Sequence, residues 1–240
     1  MDRGMESGQQ YSDIDTMGAF SDKAVRLGFI RKVYGLLCVQ LGITAAIMGI
    51  FSIEKVKLFS ASHPEMFWVA FAIMLVTLIS MACCSNVRRK TPMNIIFLGL
   101  FTLAEGFLLG NVTSYYKASE VLLAVGITFV LVLALTIFAF QTKVDFTVFS
   151  GVLMVAVLCL FIFGLIAMFF PHSKTVNIIY ASLGALIFSV YIIFDTQMMM
   201  GGTHKYSLSP EEYIFASLNL YLDVINPFMM ILSLIGNSNN

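Results

Sequence analysis

Seven stretches of this chain carry no charged side chain, or only one, over lengths that set the fold before any motif is read. They run from Val33 to Ile53, Met66 to Val87, Thr91 to Tyr116 (broken by Glu105), Val121 to Thr142, Phe146 to Ser173, Thr175 to Phe194, and Tyr213 to Leu232 (broken by Asp223). Each can cross a hydrocarbon core of about 30 Å as a helix. The short polar links between them, such as Ser62-His63-Pro64-Glu65 and Lys143-Val144-Asp145, force antiparallel neighbours. The expectation is an all-α, polytopic integral membrane protein, a bundle of seven transmembrane helices. With 59% hydrophobic and 12% charged residues, the composition lies far from that of a soluble domain.

Residues 1–28 are polar and lack apolar periodicity, which reads as a flexible cytosolic tail ahead of a membrane domain over 29–240. No apolar core near the start suits a cleaved signal, so the first helix must direct insertion. If all seven segments cross, ten Lys and Arg fall on the N-terminal side and four on the other, which puts the N-terminus in the cytosol. A re-entrant seventh segment is the alternative. Zero net charge gives no reason to expect nucleic acid as a partner. Cys38, Cys83, Cys84 and Cys159 sit in apolar runs and read as small buried hydrophobes, with no disulfide or resident metal implied and no cofactor expected. Asn111-Val112-Thr113 matches a glycosylation sequon, too near a helix end to expect use. Ser209-Pro210-Glu211-Glu212 marks the seventh start with an N-cap, a proline at the first position and an acid at the third. Pro227 should kink that helix.

Of fourteen acidic residues only Glu105, Asp195 and Asp223 are read as lying within the spans, with Asp195 ending the sixth, and no Lys or Arg is. An Asp at the centre of a membrane helix costs roughly 2.5 to 3.5 kcal/mol, so its presence points to function. Asn219 and Asn226 share a helix face with Asp223, and an oxygen-only stripe suits a hard cation such as Ca2+, though one face is too little for a closed cage. Two nearby carboxylates in low dielectric share a proton. Protonated, the pair can hold two helices together; deprotonated, it repels unless a cation bridges it. Spacing alone leaves Asp195 about 8 Å and Asp223 about 20 Å below the connecting loop at 1.5 Å per residue. Tilt, or a first turn of helix seven standing clear, has to close that gap. Arg88 is a candidate partner for the pair, against a plain stop-transfer role for Arg88-Arg89-Lys90. Glu105 reads either as pathway-lining, with Asn219 and Asn226, or as a buried hydrogen-bonding acid.

Phe29-Ile30-Arg31-Lys32-Val33-Tyr34, Phe101 to Gly106, Ile193-Phe194-Asp195-Thr196-Gln197, Leu208 to Tyr213, and Leu220 to Asn226 together resemble the Bax-inhibitor-1-like, or lifeguard, family. The short N-terminus resembles its Golgi anti-apoptotic protein branch most. The resemblance implies a seven-helix bundle, a pH-sensitive Ca2+ leak with Asp195 and Asp223 as latch and transient Ca2+ site, and Arg88 as the arginine that engages it. It further implies lowered Ca2+ in the endoplasmic reticulum or Golgi and restraint of apoptosis. Pro227-Phe228 departs from the branch pattern.

The expected function is thus a proton-gated Ca2+ leak of an internal membrane, with the bilayer, Ca2+ and H+ as partners. The alternative is a non-conducting scaffold acting through apoptosis-regulating membrane proteins. An intramembrane aspartyl protease is disfavoured because Leu220-Tyr221-Leu222 stands where glycine-rich sequence should precede the second aspartate, so no enzyme is expected. A seven-helix receptor is disfavoured because Gly110-Asn111-Val112 holds no acid–arginine pair at the end of helix three.

Overall fold

The computed structural model describes residues 3–169, 173–201 and 205–239, with side chains from Ala24 to Ser238 within them. The described residues form helices and no strands: α1 (Arg3–Phe51), α2 (Glu54–Ser62), α3 (Pro64–Cys83), α4 (Ser85–Arg89), α5 (Met93–Thr113), α6 (Ala118–Gln141), α7 (Ser150–Ala167), α8 (Lys174–Met200) and α9 (Tyr213–Asn239). Single 3-10 turns at Phe146–Phe149 and Pro210–Glu212 lead into α7 and α9. Seven segments are long and apolar enough to cross a membrane, and they coincide with the seven sequence windows. The short α2 and α4 lie in the links.

The polar N-terminal stretch has helical backbone from Arg3, continuous with the first span, whose apolar part begins at Ala24. The side chains before Ala24 lie outside the described residues. One expectation needs correction: the cysteines are not buried, and all four are exposed on outer faces of the bundle. In lipid a small apolar side chain is as well solvated outside as inside, so the soluble-protein rule that buries cysteine loses its force.

α5 and α9 are the most enclosed spans, and α6 and α7 the least. The main core joins Phe29, Val33 and Leu37 of α1, Met81 of α3, Phe101 of α5 and Ile214, Leu218 and Tyr221 of α9. Outward faces carry large apolar residues such as Trp68, Leu122, Phe129 and Met154, as lipid contact requires. Since hydrocarbon solvates a leucine as well as the protein does, close packing has to supply the cohesion. Gly106 and Gly110, four apart on α5, let α1 approach: a methyl on Gly110 would lie 2.6 Å from the Phe51 ring, and one on Gly106 would meet Ile47. This is the small-xxx-small device of membrane helices. Hydrogen bonds supplement it across α1, α5 and α9. Gln40 donates to Thr102 Oγ1 (3.1 Å) and accepts from Ser217 Oγ (2.7 Å), and the Thr44 and Tyr221 hydroxyls meet at 2.7 Å.

Gly110→Ala should therefore lower the thermal midpoint in detergent by an amount equivalent to about 1–3 kcal/mol, because the Phe51 ring cannot yield without moving α1. Gly184→Ala faces the flexible Met230 thioether and should cost clearly less, since that side chain can swing aside. Equal midpoints for the two variants would contradict this account of the α1–α5 seam.

Candidate functional site

The most extensive helix pairing in the bundle is the antiparallel one between α8 and α9. Its register follows from the approach of Gly184 to Met230, where the missing side chain lets the two helices close. Counting eleven residues up α8 and eleven back along α9 sets Asp195 level with Asn219, one turn from Asp223, a gap of about 6 Å. α9 enters late, after the link from Gly201 and the turn Pro210–Glu212, and so starts beyond the end of α8. The first turn standing clear is thus the route that removes about half of the offset expected from spacing.

The result is contact. Asp195 and Asp223, both buried, lie within side-chain hydrogen-bond reach of each other, with Tyr191 near both. An ionised carboxylate only accepts, so a hydrogen bond between two of them requires a proton on one. Among the described residues, Asp223 Oδ2 is buried without a hydrogen-bond partner. Pro227 adds a second feature: it lies inside α9 and has no N–H to give to the carbonyl four residues earlier, which is that of Asp223. α9 passes through Pro227 and continues to Asn239. Carboxylates from two helices and a carbonyl freed from the ladder are hard oxygen donors grouped around one position of α9, the ligand type that Ca2+ takes. Among the described residues no three His, Cys, Asp or Glu side chains converge.

The other expected site residues go elsewhere. Arg88 does not join the aspartates; its Nε lies 2.8 Å from Glu212 Oε2, its Nη1 donates to the Ala82 carbonyl, and its guanidinium rests over the Phe215 ring. Asn226 bonds back to the Leu222 carbonyl of its own helix at 2.9 Å, and Asn219 is half-buried. Glu105, half-buried on α5, has Tyr221 as its electrostatic neighbour. Asn111, in the sequon, lies inside α5 and donates to Ser60 Oγ at 2.7 Å.

Glu212 was missed as a site residue because it reads as an ordinary helix-start acid. Instead of returning to its own backbone it takes both arginines, with Arg89 Nε at 2.6 Å and an Arg89 terminal nitrogen at 2.5 Å from Oε1. The same end of the bundle is laced by further polar contacts. Arg26 of α1 donates to the carbonyls of Met199 and Leu208, passing over Gly201, whose φ of 60° ends α8 in a conformation that favours glycine. Gln197 holds Phe146 N and Val144 O, and Asp145 accepts from Lys205 N. The end of α8 beyond the aspartate pair is therefore closed over by α1 and the α6–α7 link, while α4 holds the turn that starts α9.

A cavity of about 370 Å3 lies between α1, α6 and α9, lined by Leu37, Phe129, Val224, Ile225 and Phe228 with hydroxyls from Tyr34, Thr44, Thr128 and Thr136. Its walls are mostly apolar, and Phe129, on the outward face of α6, stands at its rim.

Removing the buried carboxylate would leave two cations facing each other. Glu212→Ala should cost about 1–3 kcal/mol, less than a fully buried pair because Arg89 is nearly half exposed. Glu211→Ala, at an exposed position, should be nearly neutral. Urea or thermal unfolding in detergent compares them, and equal stability would mean that the two-arginine contact contributes little.

A family model described as inhibitor of apoptosis-promoting Bax1 matches residues 26–240. Protein lifeguard 3 of Homo sapiens is 40% identical over 232 residues, 95% of this chain and 74% of that protein. Protein lifeguard 3 of Mus musculus is 39% identical over 230 residues, 94% of this chain and 74% of that protein. Bax inhibitor 1 of Schizosaccharomyces pombe is 40% identical over 223 residues, 91% of this chain and 81% of that protein. These relatives do not separate the branches of the family, but seven spans in one bundle and a match over nearly all of them leave a single conclusion: the chain belongs to the Bax inhibitor, or lifeguard, family.

Proposed function

We propose that this protein is a pH-sensitive, Ca2+-permeable leak of the Golgi or endoplasmic reticulum membrane, with its N-terminus cytosolic, that lowers store Ca2+ and thereby restrains cell death. The observation that carries the reading is the contact between Asp195 and Asp223, two buried carboxylates from the two most extensively paired helices. A shared proton links α8 to α9. Loss of that proton leaves two like charges that either separate or take a divalent cation between them, so proton and Ca2+ compete for one place. The orientation is supported by the excess of Lys and Arg on the N-terminal side. Restraint of apoptosis is supported by the names of the matching family and relatives.

The test is Ca2+ flux into proteoliposomes between about pH 5 and 8, the range in which a buried carboxylate pair changes protonation. Wild type should show a pH-dependent flux. Asn copies the neutral form of Asp at each position, so Asp195→Asn and Asp223→Asn should hold the flux near the acidic-end value of the wild type at every pH. Circular dichroism and size-exclusion profiles check that the variants fold. Wild-type flux equal to that of protein-free liposomes at every pH would favour the non-conducting scaffold, and a pH profile unchanged in both variants would remove the pair from the gate.

A further inference from the structure

The tandem Cys83-Cys84 has no place in the leak, and it departs from how cysteine usually sits. Free cysteine is among the most buried residue types, yet both of these are exposed, in an exposed run from Ala82 to Asn86. Their position is specific. Cys83 is the last residue of α3, and Cys84 forms the break between α3 and α4, in extended conformation (φ −106°, ψ 98°). One turn further on stand Arg88, Arg89 and Lys90, which mark the aqueous edge of the membrane. The two thiols are thus at the boundary between hydrocarbon and water, on the side that the distribution of Lys and Arg makes cytosolic. Cys38 and Cys159 are also exposed but lie within spans, about 20 Å and 12 Å from the nearer end at 1.5 Å per residue. A thioester donor with a large polar carrier cannot reach them there.

We propose that Cys83 and Cys84 are a site of S-acylation, taking long-chain fatty acyl groups from acyl-coenzyme A at the cytosolic face. In the transfer a cysteine sulfur bonds to the acyl carbonyl carbon and the bond from that carbon to the sulfur of coenzyme A breaks. The thiol proton ends on the released coenzyme A thiol, so nothing is oxidised or reduced. Exposed juxtamembrane cysteines are the usual acceptors of this reversible modification, and the basic run beside them attracts both the anionic donor and the anionic leaflet. An acyl chain on either sulfur can fold directly into hydrocarbon, because the α3–α4 break stands at its surface. Two adjacent acceptors give two chains, the number needed for stable anchoring of a segment. The anchored segment is the one whose arginines hold Glu212 at the start of α9.

The experiment is acyl exchange on the full chain expressed in eukaryotic cells. Free thiols are blocked, thioesters are cleaved with neutral hydroxylamine, and the released thiols receive a maleimide–polyethylene glycol tag that shifts the band on a gel. Wild type should gain up to two hydroxylamine-dependent tags. Cys83→Ser and Cys84→Ser should each lose one, the double variant should lose both, and Cys38→Ser/Cys159→Ser should match wild type. Serine is close in size at an exposed position, and tagging of the remaining thiols after denaturation shows that each variant is present and reactive. Wild type without a hydroxylamine-dependent shift overturns the proposal. So does a shift that survives in the double variant, because the acylated thiol would then lie elsewhere.

Discussion

A carboxylate inside hydrocarbon persists only where another group answers it, and here Asp195 and Asp223 answer each other. Most of the architecture is arranged around keeping them together and dry. The α8–α9 pair is the most extensive in the bundle, its register is set by a glycine against a methionine, and α9 is among the most enclosed spans. The least enclosed spans, α6 and α7, have outward faces of large apolar side chains and serve as the wall between that centre and lipid. Pro227 belongs to the same arrangement. It lies inside α9 and releases the backbone oxygen of Asp223 from the helix ladder.

The parts of the fold legible in the sequence were those governed by the bilayer. The seven windows became seven spans because hydrocarbon thickness fixes helix length, and Asp195 and Asp223 stood out because nothing local explains an acid there. Ser209 caps the turn before α9 as its position suggested, its hydroxyl accepting from Glu211 N at 3.4 Å. Contacts between elements far apart in the chain were not legible. Glu212 fits the pattern of a helix-start acid, and no spacing rule says that its partners lie on α4. Arg88 stands at the end of the bundle where α9 starts, and its acidic partner there is Glu212 and neither aspartate. Gly106 and Gly110 did carry a readable signal, four apart in an apolar window, as did Gln40 in the middle of the first span. The helical backbone before Ala24 carried none, since its polar residues show no apolar face to bury.

α9 is held differently on its two sides. Towards α1 its partners are hydroxyls and an amide, Ser217 with Gln40 and Tyr221 with Thr44, joined through Gln40 to Thr102 of α5. Towards α8 its partner is a carboxylate. Neutral amide and hydroxyl contacts keep the same strength across the physiological range, whereas a proton shared by two acids does not. In mechanical terms α1, α5 and α9 form one hydrogen-bonded unit, with the glycine seam as its weld. Under the proposed gating, a change in acidity acts on one face of α9 only, the face turned to α8.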